Sequence, residues 1–381
     1  MTEVVVLGVG IHKFGRYDDK SYQDIGREAA VMALQDAGVA WRDVDAAFSA
    51  SMNLPPTTGP RILGELGLTS IPIFDVECAS ASGAVPIWLG YQMISTGVKD
   101  VVLAMGVEKM PRGFMDPRSI YEDWQIRMGL GVNPMYWALW AQRHMADYGT
   151  TEQQIAQVSV KNHKHGASNP YAMYQKETSL EEVMNSRLIC DPIRLLELCA
   201  PNEGAAAVVL CSAEFAARSS RQTPVTIAGV SLRSPLYPQT RAPSYSITAN
   251  MKNPWPTTIA SQEAYEMAGV GPEDLDVVEL QDADAFSEIR YMEELGLCAD
   301  GEGGPLVESG ATEIGGRLPV NPSGGLLSKG EPMGASAVAQ IVELTWQLRG
   351  EAGARQVEGA KVALAHVIGA GDNCGVTILK R

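Results

Sequence analysis

Two registers of apolar and polar positions run through this chain. Val4 to Val9 and Ile71 to Val76 are mainly apolar runs of strand length, whereas between Ala84 and Thr96 the apolar residues recur at helical spacing. Gly97 closes that predicted helix, and Val101 to Val107 reads as the next strand. Strand, helix and strand keep this order along the chain, which predicts an α/β fold.

The pattern also repeats. AGVAWRDVDAAF, Ala37 to Phe48, returns as AGVGPEDLDVVE, Ala268 to Glu279, each time after an amphipathic helix and before a strand-like run. Val4 to Gly10 answers Val225 to Ser231, and the closing strands Val101 to Val107 and Val362 to Ile368 correspond. A Gly-rich turn and a long apolar helix precede each closing strand, Cys78 to Thr96 in one copy and Ser323 to Leu348 in the other. A period this long is a duplicated domain. Each half is expected to form a five-stranded mixed sheet, with the helices after Cys78 and after Glu331 sharing a layer between the two sheets.

Residues 110–188 break the symmetry. This stretch is rich in Met, Trp, Tyr, His and Arg and carries a predicted helix, Trp137 to Tyr148. The expected domains are therefore a first half of residues 1–110 and 189–222, an inserted loop domain of 111–188, and a second half of 223–381. Because the insertion follows it, Val101 to Val107 is expected near a sheet edge, where pairing with a second copy would cover it. Loops over a rigid sheet commonly touch substrate, and Met and aromatic side chains suit an apolar ligand; a plain cover is the alternative.

Composition narrows the class. At 381 residues, 45% hydrophobic and 20% charged, the chain has the profile of a globular enzyme. A net charge of −15 and the lack of any Lys/Arg block argue against a nucleic-acid surface. No apolar run reaches membrane-spanning length and the N-terminus opens directly on a strand pattern, so the expected location is the cytoplasm, with no membrane partner. The six cysteines lie far apart without metal-ligand spacing, so no metal is expected in this chain.

Four stretches carry candidate chemistry. Cys78 falls at a strand-to-helix turn, in Glu77-Cys78-Ala79-Ser80-Ala81-Ser82-Gly83, where small residues and a helix N-terminus favour a thiolate nucleophile; a small buried cysteine is the competing reading. Asn162-His163 lies in the insertion. Asp282 and Asp284, in Gln281-Asp282-Ala283-Asp284-Ala285-Phe286, stand where paired acids position or protonate a substrate, or where they merely cap a helix. The last is Asn321 to Ser336, whose glycines permit close approach to a ligand and whose Glu331 stands before Pro332 at a helix start.

Taken in order, the Cys78 turn, Asn162-His163, Asn202-Glu203-Gly204-Ala205-Ala206-Ala207, Asn321 to Ser336 and Ala365-His366-Val367-Ile368-Gly369 resemble the thiolase superfamily over nearly the whole chain. The resemblance is closest to sterol-carrier-protein-type thiolases and lipid-transfer thiolase-like proteins. It implies a thiolase fold, two βαβαβαββ halves in an α/β/α/β/α arrangement with an inserted loop domain. It also implies a homodimer or dimer of dimers, and an acyl-CoA thioester as substrate, with coenzyme A held near Gly325, Gly334, Ser336 and His163. Members of this branch often work with a small zinc-containing OB-fold partner.

The family's proton-handling residues have changed here. In thiolases a histidine in a Gly-His-Pro turn activates the nucleophile and a second cysteine near the C-terminus moves the α-proton. This chain has Gly330-Glu331-Pro332 at the first place and Val367, beside His366, at the second. The expectation is an atypical thiolase that cleaves a bulky β-ketoacyl-CoA through an acylated Cys78, with Glu331, His366, Asp282 or Asp284 handling protons. A retro-aldolase acting on a β-hydroxyacyl-CoA is the alternative, and a nonenzymatic acyl-CoA or lipid-binding protein belongs to another class.

Overall fold

The computed structural model describes residues 2–113, 116–119, 121–219, 223–236 and 255–381; the expected boundary at 222 lies outside the described residues. Its strands are β1 (Val4–Gly15), β2 (Ala46–Ala50), β3 (Ile73–Val76), β4 (Val101–Lys109), β5 (Leu188–Cys190), β6 (Ile193–Arg194), β7 (Glu203–Ser212), β8 (Val225–Arg233), β9 (Val277–Glu279), β10 (Val362–Ile368) and β11 (Cys374–Lys380).

The repeat is real at the level of single side chains. Helix Tyr22–Ala37 stops at Gly38 (φ 66°), and helix Pro256–Ala268 stops at Gly269 (φ 63°), each in the left-handed conformation that ends a helix at low cost. A short 3₁₀ turn follows in both, Trp41–Asp43 and Pro272–Asp274. The next aspartate then ties the turn to the closing strand. Asp45 Oδ2 accepts from the Val101 N–H at 2.9 Å, and Asp276 Oδ2 accepts from the Val362 N–H at 2.9 Å.

The sheets differ from expectation in two respects. All nine principal strands form one hydrogen-bonded sheet, in the order β3-β2-β4-β7-β1-β8-β11-β10-β9. The halves join where Val5 and Val6 pair antiparallel with Thr226 and Val225. Among the described residues the second half supplies four strands, with a single parallel bridge between Val278 and Val320 beside them. Nor does β4 lie near an edge: β2 and β7 flank it, so the insertion leaves from the middle of the first half and the chain returns as its antiparallel neighbour. The edge of the first half is β3, with Phe74 46% exposed.

Burial reproduces the five layers. Val101, Leu103, Met105 and Val107 of β4 pack against the outer helices of the first half, while Val102 and Ala104 face the opposite core. That second core contains Ile87, Tyr91 and Ile94 of helix Ala84–Ser95 and Ile341, Leu344 and Leu348 of helix Ser336–Arg349, packed on strands of both halves. Of the fourteen residues of Ser336–Arg349 only Trp346 escapes full burial, as a helix covered by strands of both halves requires. A third core sets Leu364, Ile368, Val376 and Ile378 against helices Pro256–Ala268 and Ala285–Glu294. No helix among the described residues is long and apolar enough to cross a membrane.

Candidate active site

After β3 the backbone turns sharply, with Ala79 at φ 50°. The Ala81 and Ser82 N–H groups bond back to the carbonyls of Cys78 and Ala79 at 3.1 and 3.0 Å, and the regular helix begins only at Ala84. Ser82 Oγ accepts from the Cys78 N–H at 2.7 Å and so holds the cysteine in the bend. Cys78 packs beside Ala81, Ala337 and Val367. Burial pushes its thiol up, and the carboxylate of Glu77 adds to the effect. The regular helix starts six residues further on, so burial and Glu77 outweigh the lowering that a helix N-terminus would give.

Glu331 comes to the same place from the second half. Its carboxyl is buried and takes a hydrogen bond from the Cys199 thiol at 2.9 Å on one oxygen and from Gln281 Nε2 at 2.9 Å on the other. The hydroxyl of Ser80, two residues past Cys78, also donates to it. Burial raises Glu331 above the ordinary carboxylate range, and these three donors only partly offset that. Among the described residues no ion pair joins it to a cation. Its backbone is fixed as well, the Glu331 N–H donating to the Ala200 carbonyl at 2.9 Å.

A chamber of about 750 Å³ opens above this cluster, within the usual size for a small-molecule site. Ala79, Ser80, Cys199 and Glu331 are among its lining residues, and Cys78 is not. The insertion supplies Tyr121, Trp137, His163, Met173 and Tyr174, so the aromatic and Met-rich segment does line a cavity. His163 is positioned by helix Glu152–Ala167, which a Thr151–Gln154 capping box starts, and burial lowers its basicity so that the ring stays neutral. Its neighbour Asn162 turns inward, donating to Asp282 Oδ2 and Glu288 Oε2 at 2.8 Å each.

Other candidate residues are outside the chamber lining, although Asp282 and Asp284 lie near Cys199. Asp282 caps the short helix Gly325–Ser328, accepting from the Leu326 and Leu327 N–H groups at 2.7 and 3.2 Å. Gly325 is glycine because a Cβ there would stand 2.1 Å from Asp282 Oδ2; it meets that carboxylate and lies outside the chamber lining. Asp284 caps helix Ala285–Glu294 through the Ser287 N–H at 3.1 Å, and burial holds it near a pKa of about 6. Gly334 packs the start of helix Ser336–Arg349 onto the strand ends, a Cβ there lying 2.7 Å from the Val107 carbonyl, and Ser336 Oγ bonds to the Met333 carbonyl at 3.3 Å. Neither touches the chamber, whose lining takes Met333 instead.

His366 lies apart from this cluster for the plainest reason, the two-residue period of a strand. Val367 faces Cys78, so its neighbour faces the opposite way, onto Thr257 Oγ1 at 3.2 Å and the Tyr291 ring at 4.7 Å. Buried there beside Arg290, it drops to a pKa of about 3 and is neutral. The residues that do meet Glu331 are Ser80, Gln281 and Cys199. Cys199 could have been sought from its place just ahead of the Asn202-to-Ala207 stretch, at the mouth of β7. Among the described residues no group of His, Cys, Asp and Glu is placed to hold a metal ion.

Comparison with known proteins bears on this architecture. Residues 4–214 match the N-terminal thiolase domain, and residues 241–381 match the thiolase C-terminal domain-like family. The chain is 39% identical to an acetyl-CoA acetyltransferase of Methanothermobacter thermautotrophicus over the full length of both. It is 38% identical to sterol carrier protein 2 of Oryctolagus cuniculus, across 100% of this chain and 72% of that one. Among solved structures, the Ltp2-ChsH2(DUF35) aldolase superimposes with a TM-score of 0.86 at 28% identity, covering 99% of this chain and 97% of that one.

Proposed function

The chain belongs to the thiolase family and is an enzyme of thiolase type, and from that premise we propose that it breaks a carbon–carbon bond beside the thioester of a bulky acyl-CoA, with Glu331 as the base. The reading best supported is retro-aldol cleavage of a β-hydroxyacyl-CoA, which reverses the order of the two enzymatic expectations drawn from the sequence. One observation carries it: the Glu331 carboxylate is buried in the chamber wall, weakened as an acid, with three neutral donors and, among the described residues, no cation. Such a group is poised to take a proton from a hydroxyl near neutral pH. It also disfavours a second negative charge close by, so it works against a Cys78 thiolate. The aldolase among the structural relatives supports the same reading.

In this scheme Glu331 takes the β-hydroxyl proton and the oxygen forms a carbonyl at Cβ. The Cα–Cβ bond breaks, and its electrons pass into the thioester enolate. A ketone or aldehyde and a shortened acyl-CoA leave. Thiolysis through an acylated Cys78 is retained as a second reading because Cys78 sits two residues from a Glu331 ligand and because of the likeness to an acetyl-CoA acetyltransferase. The Tyr121 and Trp137 walls favour a bulky, apolar acyl group in either case. The edge strand β3 favours a homodimer, and the two-part name of the aldolase favours a small second subunit; the expected zinc-containing OB-fold protein and cytoplasmic location are kept as part of this proposal.

Mass spectrometry after incubation with β-hydroxyacyl-CoA and β-ketoacyl-CoA thioesters tests the choice. Release of a carbonyl compound and a shorter acyl-CoA from the hydroxy thioester, with Cys78 unmodified, is the expected result. An acyl adduct on Cys78 formed only from the keto thioester would overturn it in favour of thiolysis.

A further inference from the structure

Cleavage leaves an enolate that must gain a proton at Cα, and it leaves Glu331 holding one. The residue that closes this cycle has to face the chamber, keep a proton at neutral pH, and recover it from Glu331. Cys78 is joined to Glu331 only through its neighbour Ser80, and His366 faces the other side of its strand. Cys199 meets all three conditions. It lines the chamber, and its Sγ–H donates directly to Glu331 Oε2 at 2.9 Å. Gln281, buried and bonded to the other carboxylate oxygen, holds the acceptor in line.

Resting on the reading of Glu331 as the base, we propose that Cys199 is a catalytic residue, the acid that protonates the enolate carbon. The balance is complete without any co-reactant. Glu331 accepts the hydroxyl proton as the C–C bond breaks; Cys199 S–H passes its proton to Cα, which forms the new C–H bond and leaves a thiolate. The carboxylic acid of Glu331 then returns its proton to that thiolate across the existing hydrogen bond. Burial and the facing carboxylate push the thiol well above its ordinary range, so it rests protonated. The thiolate exists only while Glu331 is neutral, which avoids two buried negative charges at contact distance.

The experiment runs the last step backwards. Acetyl-CoA is incubated in D₂O with the purified chain, and deuterium entering the acetyl methyl is followed by mass spectrometry beside calorimetric binding of acetyl-CoA. The parent should exchange. Cys199→Ala and Cys199→Ser should bind acetyl-CoA yet exchange slower by roughly a hundredfold or more, the scale of a lost acid or base. Serine keeps a hydroxyl for Glu331 but is a far weaker acid, so it decides the matter should the alanine variant fail to fold. If Glu331→Gln abolishes exchange while both Cys199 variants stay within about threefold of the parent, Cys199 is not the acid and the base reading stands. If the parent does not exchange, or Glu331→Gln exchanges as the parent does, the proposal for Cys199 falls, while the reading of Glu331 as the hydroxyl base is decided separately by turnover of the β-hydroxyacyl-CoA.

Discussion

Replacing Glu331 by Gln separates a charge that works from a charge that only fills a turn. The carboxylate accepts from Ser80, Cys199 and Gln281, so an amide in its place must turn one NH₂ toward a donor. Gln281 can accommodate this: its Oε1 is buried and without a partner, and rotating its own amide presents that oxygen to the new NH₂. All three contacts then persist, but the rotated Gln281 Nε2 takes the buried place that Oε1 held without a partner, so the variant should lose about 1–3 kcal/mol, the cost of one unpaired donor. Glu331→Ala has no such remedy, and each donor left buried without an acceptor costs about 1–3 kcal/mol. The linkage also has a sign. Because burial raises Glu331, the stability it contributes is complete below the ordinary carboxylate range and is lost as pH rises through its folded value. Glu331→Gln removes that loss and should gain on the parent as pH rises above the ordinary carboxylate range. Turnover should move the opposite way, falling roughly 10²–10⁴-fold, or about 2.7–5.5 kcal/mol on the barrier. Urea unfolding at several pH values, acyl-CoA binding by calorimetry and product analysis on both thioester classes give the three readings. Parent-level turnover by a folded Glu331→Gln with hydroxy and keto thioesters alike would refute the assignment of Glu331 as the base.

Four further outcomes are expected. Iodoacetamide at neutral pH should label Cys78 slowly, since burial and Glu77 hold its thiol protonated, and the rate should climb with pH and fall with acyl-CoA bound; rapid labelling at pH 7 would mean a resting thiolate. His366→Gln should leave turnover unchanged while flattening acid destabilisation. Its folded pKa is depressed from 6.5 to about 3, so the stability present above 6.5 is lost as pH falls between those values; an unchanged stability–pH slope would count against a neutral buried ring. Asp276→Ala should cost about 1–2 kcal/mol in urea unfolding, the range for lost caps, with turnover intact, because it frees the Lys361 and Val362 N–H groups far from the chamber. Phe74→Lys on the exposed edge strand should shift a dimer to monomer in sedimentation, and an unaltered dimer would move the interface elsewhere.

What the residues disclosed in advance was whatever depends on local pattern or on the repeat. The matching AGV-to-aspartate segments led to both halves because a helix stop, a 3₁₀ turn and a strand start are short-range events. Asp282 resisted because the helix it caps begins forty-three residues later, at Gly325, and only the folded chain brings them together. His366 was read by its place beside Val367, yet neighbours on a strand point apart, so adjacency in sequence was evidence against it. Cys199, Gln281 and Ser80 come from three separate segments, and no spacing rule links them. The sheet count failed at a seam of two paired residues, Val5 and Val6, too short to leave a pattern.

The inner core carries a meaning for ancestry. Helices Ala84–Ser95 and Ser336–Arg349 are buried by strands of both halves at once, so neither half owns a finished interior. A single-half progenitor would have needed a second copy of itself to cover that face, and gene duplication would have turned a pairing between chains into one within a chain. Once both copies lay on one polypeptide they were free to diverge, one acquiring the cysteine turn and the other the Gly-Glu-Pro turn. The same dependence should still hold today: residues 1–222 expressed by themselves would present an uncovered apolar face and aggregate.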